Sequence, residues 1–165
     1  MNRMQISTLV LSASALVGLA VSEGYSDQAI IPVQGDVPTL GFGSTAHADG
    51  AAVRMGEKTT PVRALVALLD HASRYEQAVK RCAPVPMHPW EYEAYVRLTY
   101  NIGEGAFCRS TLTSKLNAGD YAGACDQILK WDRFNGKPLR GLTLRRQAEH
   151  AMCIGRTQST AATAA

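Results

Sequence analysis

Residues 23–43 read EGYSDQAIIPVQGDVPTLGFG, and this stretch decides the fold. It holds two short apolar runs, residues 29–33 and residues 39–43, on either side of a polar turn sequence. Apolar runs separated by turn-forming residues predict a β-hairpin. Pro32 and Pro38 limit this hairpin to a short ladder or a sheet edge, because proline cannot donate a ladder hydrogen bond.

Helix signals dominate the sequence after the hairpin. Thr60 and Pro61 fit the N-cap and the first helical position of a helix that ends at Cys82. A second helix is predicted to start at His88, and its apolar residues recur at i+4 spacing over residues 90–102, which indicates a buried stripe. The other predicted segments are a loop at residues 44–59, helices from Ser110 to Leu116, from Asp120 to Trp131 and from Leu142 to Ile154, and a disordered tail at residues 157–165.

The composition fits one globular domain. The chain has 165 residues, of which 46% are apolar, and this is enough for a packed core. The predicted elements indicate an α+β fold with a small β-hairpin lobe, a mostly helical lobe and an apolar helix at the N-terminus. The formal net charge of +3, from 17 basic and 14 acidic residues, argues against a nucleic-acid-binding protein.

The sequence offers no recognisable site for a cofactor. Neither glycine-rich pattern of the nucleotide-binding loops is present. The four histidines His47, His71, His88 and His150 are scattered and lack the spacing of metal ligands. We therefore expect neither a metal nor another cofactor.

The first 22 residues have the character of an export segment. Arg3 is the only charged residue before Glu23, and residues 6–21 read ISTLVLSASALVGLAV. A basic start followed by an apolar run is typical of an export signal. The uncharged run of residues 5–22 is just long enough to span a membrane, which takes ~17–25 residues. Because residues 19–22 are a poor cleavage sequence, we favour a retained anchor over a cleaved signal; a buried core helix is the alternative.

Cysteine usage agrees with export. The chain has four cysteines, an even number that could form two disulfides in an oxidising compartment, with three possible connectivities. We predict the pairs Cys82–Cys108 and Cys125–Cys153, because each would join neighbouring helical segments. Four buried free thiols in a cytosolic protein are the alternative.

Four polar residues in and around the hairpin are candidates for cleaving a glycosidic bond: Glu23, Asp27, Asp36 and Thr39. Such cleavage needs one protonated carboxyl group for the leaving oxygen and a second group that acts on water or on the developing positive charge. Glu23 follows the apolar segment directly, so its carboxyl group is expected to lie against nonpolar surface, which favours the protonated form. A cleft between a hairpin lobe and a helical lobe would suit an extended polymer.

These residues resemble the active-site region of phage lysozymes, the endolysins of glycoside hydrolase family 24. The resemblance rests on Glu23-Gly24-Tyr25 and on residues 39–45, TLGFGST. It extends through residues 100–107, YNIGEGAF, residues 116–121, LNAGDY, and residues 141–146, GLTLRR. The resemblance covers roughly residues 23–155, and it implies a lysozyme-like fold.

The catalytic pattern of this family is a Glu, then an Asp, then a Thr. The resemblance assigns the Glu to Glu23, as the proton donor, and the Thr to Thr39, whose hydroxyl would position the attacking water. Val33 stands where the family usually has its Asp, so we expect the nearby Asp36 to act in its place. The alternatives are a turn-forming Asp36 and an ordinary strand residue at Thr39, and Asp27 is expected to be a surface residue.

The apolar start resembles a subset of this family, the signal-anchor-release endolysins. These proteins are exported by the host translocon, stay tethered to the inner membrane and become active in the periplasm once the anchor leaves the bilayer. The expected division is an anchor at residues 1–22, a catalytic domain at residues 23–156 and the tail. Residues 1–22 contain no cysteine, so caging of the active site by an anchor thiol is not expected.

The resemblance implies a monomeric hydrolase that cuts the β-1,4 bond between N-acetylmuramic acid and N-acetylglucosamine in peptidoglycan. Cleavage would lyse the host cell and release phage. Because Val33 replaces the usual Asp, a lytic transglycosylase acting on the same bond is an alternative. A cell-wall-binding protein without catalytic activity is a second alternative.

Overall fold

The structure, a computed structural model, describes residues 2–33 and 35–155. It contains seven α-helices and two small antiparallel hairpins in these ranges, which confirms the predicted α+β class. The chain divides into two compact units: Ser12–Tyr75, called here the hairpin unit, and Met1–Leu11 together with Glu76–Ala165, called the helical unit. The predicted tail at residues 157–165 lies outside the described residues.

Strands β1 (Ser26–Ile30) and β2 (Thr39–Gly41) pair antiparallel and form the predicted hairpin. Ile30 lies opposite Thr39, and Ser26 lies opposite Gly41. The ladder is irregular between these two pairs, because β1 has more residues there than β2. Residues 44–59 form no extended helix or strand, as predicted, and they cover one side of the hairpin. The small buried cluster of this region consists of Ala29, Leu40 and Val53.

The apolar N-terminal segment is helical over only part of its length. Ile6–Thr8 form a short 3-10 turn, and the next helix, α1, covers Ala13–Glu23. Ser12 starts this helix, because its Oγ accepts a hydrogen bond from the N–H of Ala15 at 3.1 Å and so satisfies one of the amides at the helix N-terminus. No helix among the described residues is long and apolar enough to span a bilayer.

Helix α2 (Pro61–Cys82) begins where the sequence predicts it. The N-cap residue Thr60 accepts a hydrogen bond from the N–H of Arg63 at 3.3 Å through its Oγ1. Pro61 occupies the first helical position, where its missing N–H leaves no bond unmade. The boundary between the two units falls inside this helix, after Tyr75.

The helical unit contains the remaining predicted helices. Ser110 and Asp120 act as N-caps, as expected, and accept hydrogen bonds from the N–H groups of Thr113 at 3.1 Å and Gly123 at 2.9 Å. In chain order the elements are α3 (Pro89–Ile102), α4 (Glu104–Cys108), α5 (Thr111–Asn117), α6 (Tyr121–Gln127), a 3-10 turn (Ile128–Lys130), β3 (Arg133–Phe134), β4 (Lys137–Pro138) and α7 (Arg140–Cys153).

Helices α3 and α7 form the centre of the helical unit. From the predicted stripe on α3, Ala94 and Leu98 are fully buried, whereas its two end residues are only half-buried. Helix α7 buries Arg146 completely, and the charge of Arg146 is compensated by Glu149, with Nε and Oε2 2.9 Å apart. Arg146 also donates to Oδ1 of Asn101 on α3 at 3.0 Å, which ties the two helices together.

Two disulfides connect the helices of this unit, with the predicted connectivity. Cys82–Cys108 joins the end of α2 to α4, and Cys125–Cys153 joins α6 to α7. The paired Cα atoms are 5.3 Å and 5.7 Å apart. No cysteine is free.

The second hairpin, β3–β4, was not predicted from the sequence. Phe134 pairs with Lys137 across the dipeptide Asn135-Gly136, and Asn135 has a positive φ of 49°. An Asn-Gly dipeptide is the strongest short-range hairpin signal, since both residues tolerate positive φ. The signal was present, but the strands have two residues each and no apolar alternation marks them.

Candidate active site

Glu23 is the last residue of α1, and its half-buried side chain lies beside the turn that follows β2. Gly24 ends the helix and directs the chain into β1. A Cβ atom built on Gly43 would lie only 3.2 Å from Oε2 of Glu23 and 3.9 Å from its Cβ. The glycine therefore leaves the space that the Glu23 carboxylate occupies.

A pair of aromatic rings flanks this contact. Tyr25 follows Gly24, Phe42 precedes Gly43, and their ring centroids are 5.4 Å apart at an interplanar angle of 52°. Both rings line a cavity of about 330 Å³, whose other walls come from the apolar side of α1 and from Leu65. The cavity gives the end of α1 an apolar neighbourhood, although Glu23 is not among the residues that line it.

Thr39 is the first residue of β2 and lies opposite Ile30. Its hydroxyl donates a long hydrogen bond of 3.4 Å to the carbonyl oxygen of Ile30. The side chain is half-buried. A weakly held hydroxyl at this position can exchange its partner for water.

Asp36 lies in the connection between the two strands, and its backbone folds back onto Val33. The N–H of Asp36 donates to the carbonyl oxygen of Val33 at 3.0 Å. Oδ1 of the exposed Asp36 side chain accepts the N–H of Val37 at 2.8 Å. The hydrogen bond brings the backbone of Asp36 next to that of Val33, while the carboxylate itself engages Val37.

The hairpin unit contains all three predicted site residues, in a definite order along the hairpin. Glu23 lies at the open end, beside Gly43. Thr39 lies two residues before Gly41 on β2, about 7 Å along the strand. Asp36 lies beyond Thr39, in the connection at the closed end. Asp27, expected at the surface, is exposed on β1.

Comparison with known proteins identifies the family. The model of the phage lysozyme family matches residues 20–149. The chain belongs to the phage lysozyme family. It is accordingly a glycoside hydrolase of the lysozyme type, and the resemblance stated from the sequence motifs is confirmed.

Individual relatives cover most of the chain. The endolysin of Salmonella phage P22 is 32% identical over 144 residues, which are 87% of this chain and 97% of that protein. A protein of Pseudomonas phage phiKMV, named a SAR-endolysin, is 32% identical over 146 residues, which are 86% of this chain and 87% of that protein. The solved structure of the endolysin from Escherichia coli O157:H7 phage FAHEc1 superposes with a TM-score of 0.77 at 31% identity and covers 89% of this chain and 94% of that chain. The lysozyme-like fold is thereby confirmed.

Two residues of the hairpin unit were not singled out from the sequence. Gly43 was quoted only as part of a motif, although a Gly-x-Gly pattern at the end of a strand signals a close approach of another group. His71 on α2 approaches Ser44 Oγ with its Nδ1 at 3.5 Å and bonds the backbone of Ala46. Partial burial, reinforced by the Arg74 charge, lowers the pKa of His71.

The described part of this lysozyme contains no group of three or more His, Cys, Asp or Glu side chains that could share a metal ion.

Proposed function

We propose that this protein is a phage endolysin that hydrolyses the β-1,4 bond between N-acetylmuramic acid and N-acetylglucosamine in peptidoglycan. The observation that carries the proposal is the packing of the Glu23 carboxylate against Gly43. This packing places a carboxyl group at the open end of the hairpin, on the same hairpin as a hydroxyl and a second carboxylate. Hydrolysis of the glycan strand would lyse the host cell and release phage.

Each of the three residues has a defined role in this proposal. Glu23 donates a proton to the oxygen of the leaving sugar as the glycosidic bond breaks. A water molecule then supplies the hydroxyl group to the anomeric carbon. The Thr39 hydroxyl orients this water, and Asp36 either accepts its proton or stabilises the positive charge that develops on the sugar ring.

The role of Asp36 rests on its backbone hydrogen bond to Val33 and has a matched control in the same unit. Asp36 and Asp49 are both exposed, and each accepts a backbone N–H through Oδ1, from Val37 at 2.8 Å and from Ala51 at 2.9 Å. Asp36→Asn should reduce the rate of muropeptide release from purified sacculi about 100-fold or more, and Asp49→Asn should not change it. Equal rates for the two variants would exclude Asp36 from catalysis.

A lytic transglycosylase is the second candidate, and the observation that favours it is Val33 at the usual Asp position. Such an enzyme uses one catalytic Glu, and the sugar's own hydroxyl takes the place of water. Mass spectrometry of the products separates the two reactions. Reducing N-acetylmuramic acid ends support hydrolysis, whereas anhydro-muramyl ends would replace our proposal by transglycosylation.

Residues 1–22 have two successive roles in our proposal: an anchor in the host inner membrane, then a part of the folded enzyme in the periplasm. The relative from phage phiKMV, named a SAR-endolysin, supports the first role. The second role is supported by burial of the same apolar residues in the protein. Ile6 and Leu9 are buried in the helical unit, and Ala15 and Leu19 are buried in the hairpin unit.

Two fusions test this switch. In one, a cleavable signal peptide precedes the chain with residues 2–22 retained; in the other, the signal peptide replaces residues 1–22. We expect the first to lyse cells at once, because the anchor is no longer held in the bilayer. The second should be inactive, because Leu19 is then missing from the core. A first fusion that still needs membrane depolarisation would contradict the proposal.

The remaining partners follow from the same proposal. Peptidoglycan is the substrate, and the host export translocon carries the chain to the inner membrane. The 23–156 region acts as the catalytic domain, and the enzyme works as a monomer.

A further inference from the structure

A second cavity of the hairpin unit, of about 200 Å³, has a polar lining that the proposed reaction does not use. It lies between β2, the loop of residues 44–59 and the first turns of α2. Its polar side chains are Ser44, His47, Lys58, Thr59 and Arg63, above a floor of aliphatic and alanine side chains. We call this space the loop cavity.

Two uncompensated positive charges line the loop cavity. Lys58 and Arg63 are the two permanently charged residues in its wall, and no acidic residue lines it. Neither side chain forms an ion pair with any residue in the described ranges. Both residues are exposed, and two cations without a carboxylate partner favour an anion in the adjoining cavity.

The nearest acidic group in the sequence is already engaged elsewhere. Glu57 precedes Lys58, but its Oε2 pairs with Nε2 of His47 at 2.8 Å and its Oε1 accepts the N–H of Arg54 at 3.1 Å. The carboxylate of Glu57 is therefore bonded to His47 and Arg54, and it pairs with neither Lys58 nor Arg63.

The hydroxyl groups of the wall add hydrogen-bond donors for an anion. Ser44 is only 7% exposed, and both it and Thr59 line the cavity. Their present partners, Nδ1 of His71 and the carbonyl oxygen of Thr60, are each 3.5 Å away, and such long hydrogen bonds can be exchanged for bonds to a ligand. Hydroxyl donors together with a lysine and an arginine match the oxygens of a carboxylate group, which form short, charge-assisted hydrogen bonds. The cavity is smaller than the roughly 300–1,000 Å³ of pockets that enclose whole drug-sized ligands. It therefore suits one small acidic group rather than a complete saccharide.

We propose that the loop cavity binds a carboxylate group of the peptide stem that peptidoglycan carries on its muramic acid residues. The inference rests on the proposed function for the identity of the ligand, because a murein-degrading enzyme meets this carboxylate on each cross-linkable sugar. The peptide contact adds to substrate binding and takes no part in bond cleavage.

The binding test uses the whole protein and needs no catalysis. The free stem tetrapeptide is titrated into labelled protein, and amide shifts are followed by nuclear magnetic resonance. We expect shifts at Ser44, Lys58, Thr59 and Arg63, and about tenfold weaker binding for the double variant Lys58→Gln/Arg63→Gln. The matched control, Arg54→Gln/Arg74→Gln, removes two cations of the same unit that do not line the cavity and should bind the peptide as the wild type does.

Two further ligands identify the group that is bound. A tetrapeptide with its carboxylates converted to amides should bind about tenfold more weakly than the acid form. Inorganic phosphate should bind more weakly than the tetrapeptide. Equal affinity for the amide form, or phosphate binding as tight as that of the peptide, would overturn the inference.

Activity measurements separate this inference from the proposed function. The Lys58→Gln/Arg63→Gln variant should digest intact sacculi more slowly, mainly through a higher KM, and digest glycan strands stripped of their peptides at the wild-type rate. An equal loss of digestion rate on intact sacculi and on peptide-free strands would overturn the inference about the loop cavity. It would leave the proposed murein hydrolysis unaffected. If the wild type cut neither substrate, the proposed function would fail, and the peptide titration would still decide the cavity's ligand chemistry.

Discussion

Arg3 and Glu91 form an ion pair between residues that are 88 positions apart in the sequence. Two atom pairs join them, Nη2 with Oε1 at 2.8 Å and Nε with Oε2 at 3.0 Å. The Glu91 side chain is only 5% exposed, and its Oε2 also accepts the N–H of His88 at 2.8 Å at the start of α3. The Arg3 guanidinium lies 3.5 Å from the centre of the Tyr121 ring. These contacts attach the beginning of the chain to the helical unit.

The first prediction concerns this ion pair. Arg3→Ala leaves the carboxylate of Glu91 nearly buried without its cation, and we expect the free energy of unfolding to fall by about 1–3 kcal/mol. This loss of unfolding free energy is smaller than the loss expected for a fully buried ion pair, because the Arg3 side chain is one-third exposed. Urea denaturation measures the change.

The exposed Lys130 of the same unit provides a control for loss of one positive charge. Lys130→Ala should change the unfolding free energy by less than about 0.5 kcal/mol. A double-mutant cycle with Glu91→Gln isolates the coupling. A coupling energy indistinguishable from zero would mean that the ion pair does not hold the N-terminal segment.

The second prediction concerns the glycine beside the proposed proton donor. Gly43 has φ +80°, and an added methyl group would lie 3.2 Å from Oε2 of Glu23. Gly43→Ala should therefore reduce kcat on purified sacculi on the order of tenfold, because it displaces the carboxyl group. Gly50→Ala shares the backbone strain, with φ +86°, but its new methyl group meets no atom within 4 Å. If both variants lose activity equally, the contact with Glu23 has no catalytic role.

The third prediction compares the two disulfides. Their sequence separations are 26 and 28 residues, so loop entropy predicts nearly equal stabilisation, about 3 kcal/mol each. Cys125 and Cys153 are buried and lie near the Tyr95 hydroxyl, whereas Cys82 is half-buried. Replacing both members of each pair by alanine should destabilise the protein more at Cys125–Cys153, because a cavity is added there.

Guanidinium denaturation of the two double alanine variants measures the difference. Equal losses would show that loop closure dominates both contributions, and a larger loss at Cys82–Cys108 would contradict the packing argument.

The fourth prediction is a pH dependence of stability. Burial and the charge of Arg74 lower the pKa of His71, while Asp70 and the bond to Ala46 oppose this shift. The unfolded chain then binds more protons than the folded one between the lowered pKa and the ordinary value of about 6.5. The contribution of His71 to stability is thus complete above pH about 6.5 and is lost as the pH falls through its folded pKa.

Unfolding free energies of the wild type and of His71→Gln, measured from pH 7.5 to pH 4.5, test this. The difference in unfolding free energy between the wild type and His71→Gln should shrink toward low pH. A difference that grows as the pH falls would mean that protonation stabilises His71 in the folded state.

Local signals in the sequence were sufficient for most helices. Thr60, Ser110 and Asp120 are N-caps in the structure because their side-chain oxygens reach amides that the helices leave unpaired. The β1–β2 hairpin followed from its two apolar runs and the turn between them. The disulfide pairs followed because each joins segments that pack together.

Contacts between distant residues were beyond the reach of sequence patterns. Residues 6–21 mix apolar residues with Ser, Thr and Gly and contain no charge, so no clear periodicity marked the break before Ala13. There Ser12 caps the helix, and the N–H of Leu11 donates to Oε1 of Glu76 at 2.7 Å. The Arg3–Glu91 pair depends on the folded arrangement of the helical unit. The hydrogen bond that brings the backbone of Asp36 to Val33 is set by backbone geometry, whereas the sequence indicated only that a turn was present.

The proton donor is the part of the account on which the rest depends. The measurement is the rate at which reducing ends appear when purified sacculi are treated with the wild type and with Glu23→Gln, both with unchanged thermal unfolding midpoints. We predict that the substitution reduces this rate about 100-fold or more, because the amide cannot donate the proton that the leaving sugar requires. A Glu23→Gln protein that released reducing ends at the wild-type rate would contradict the account.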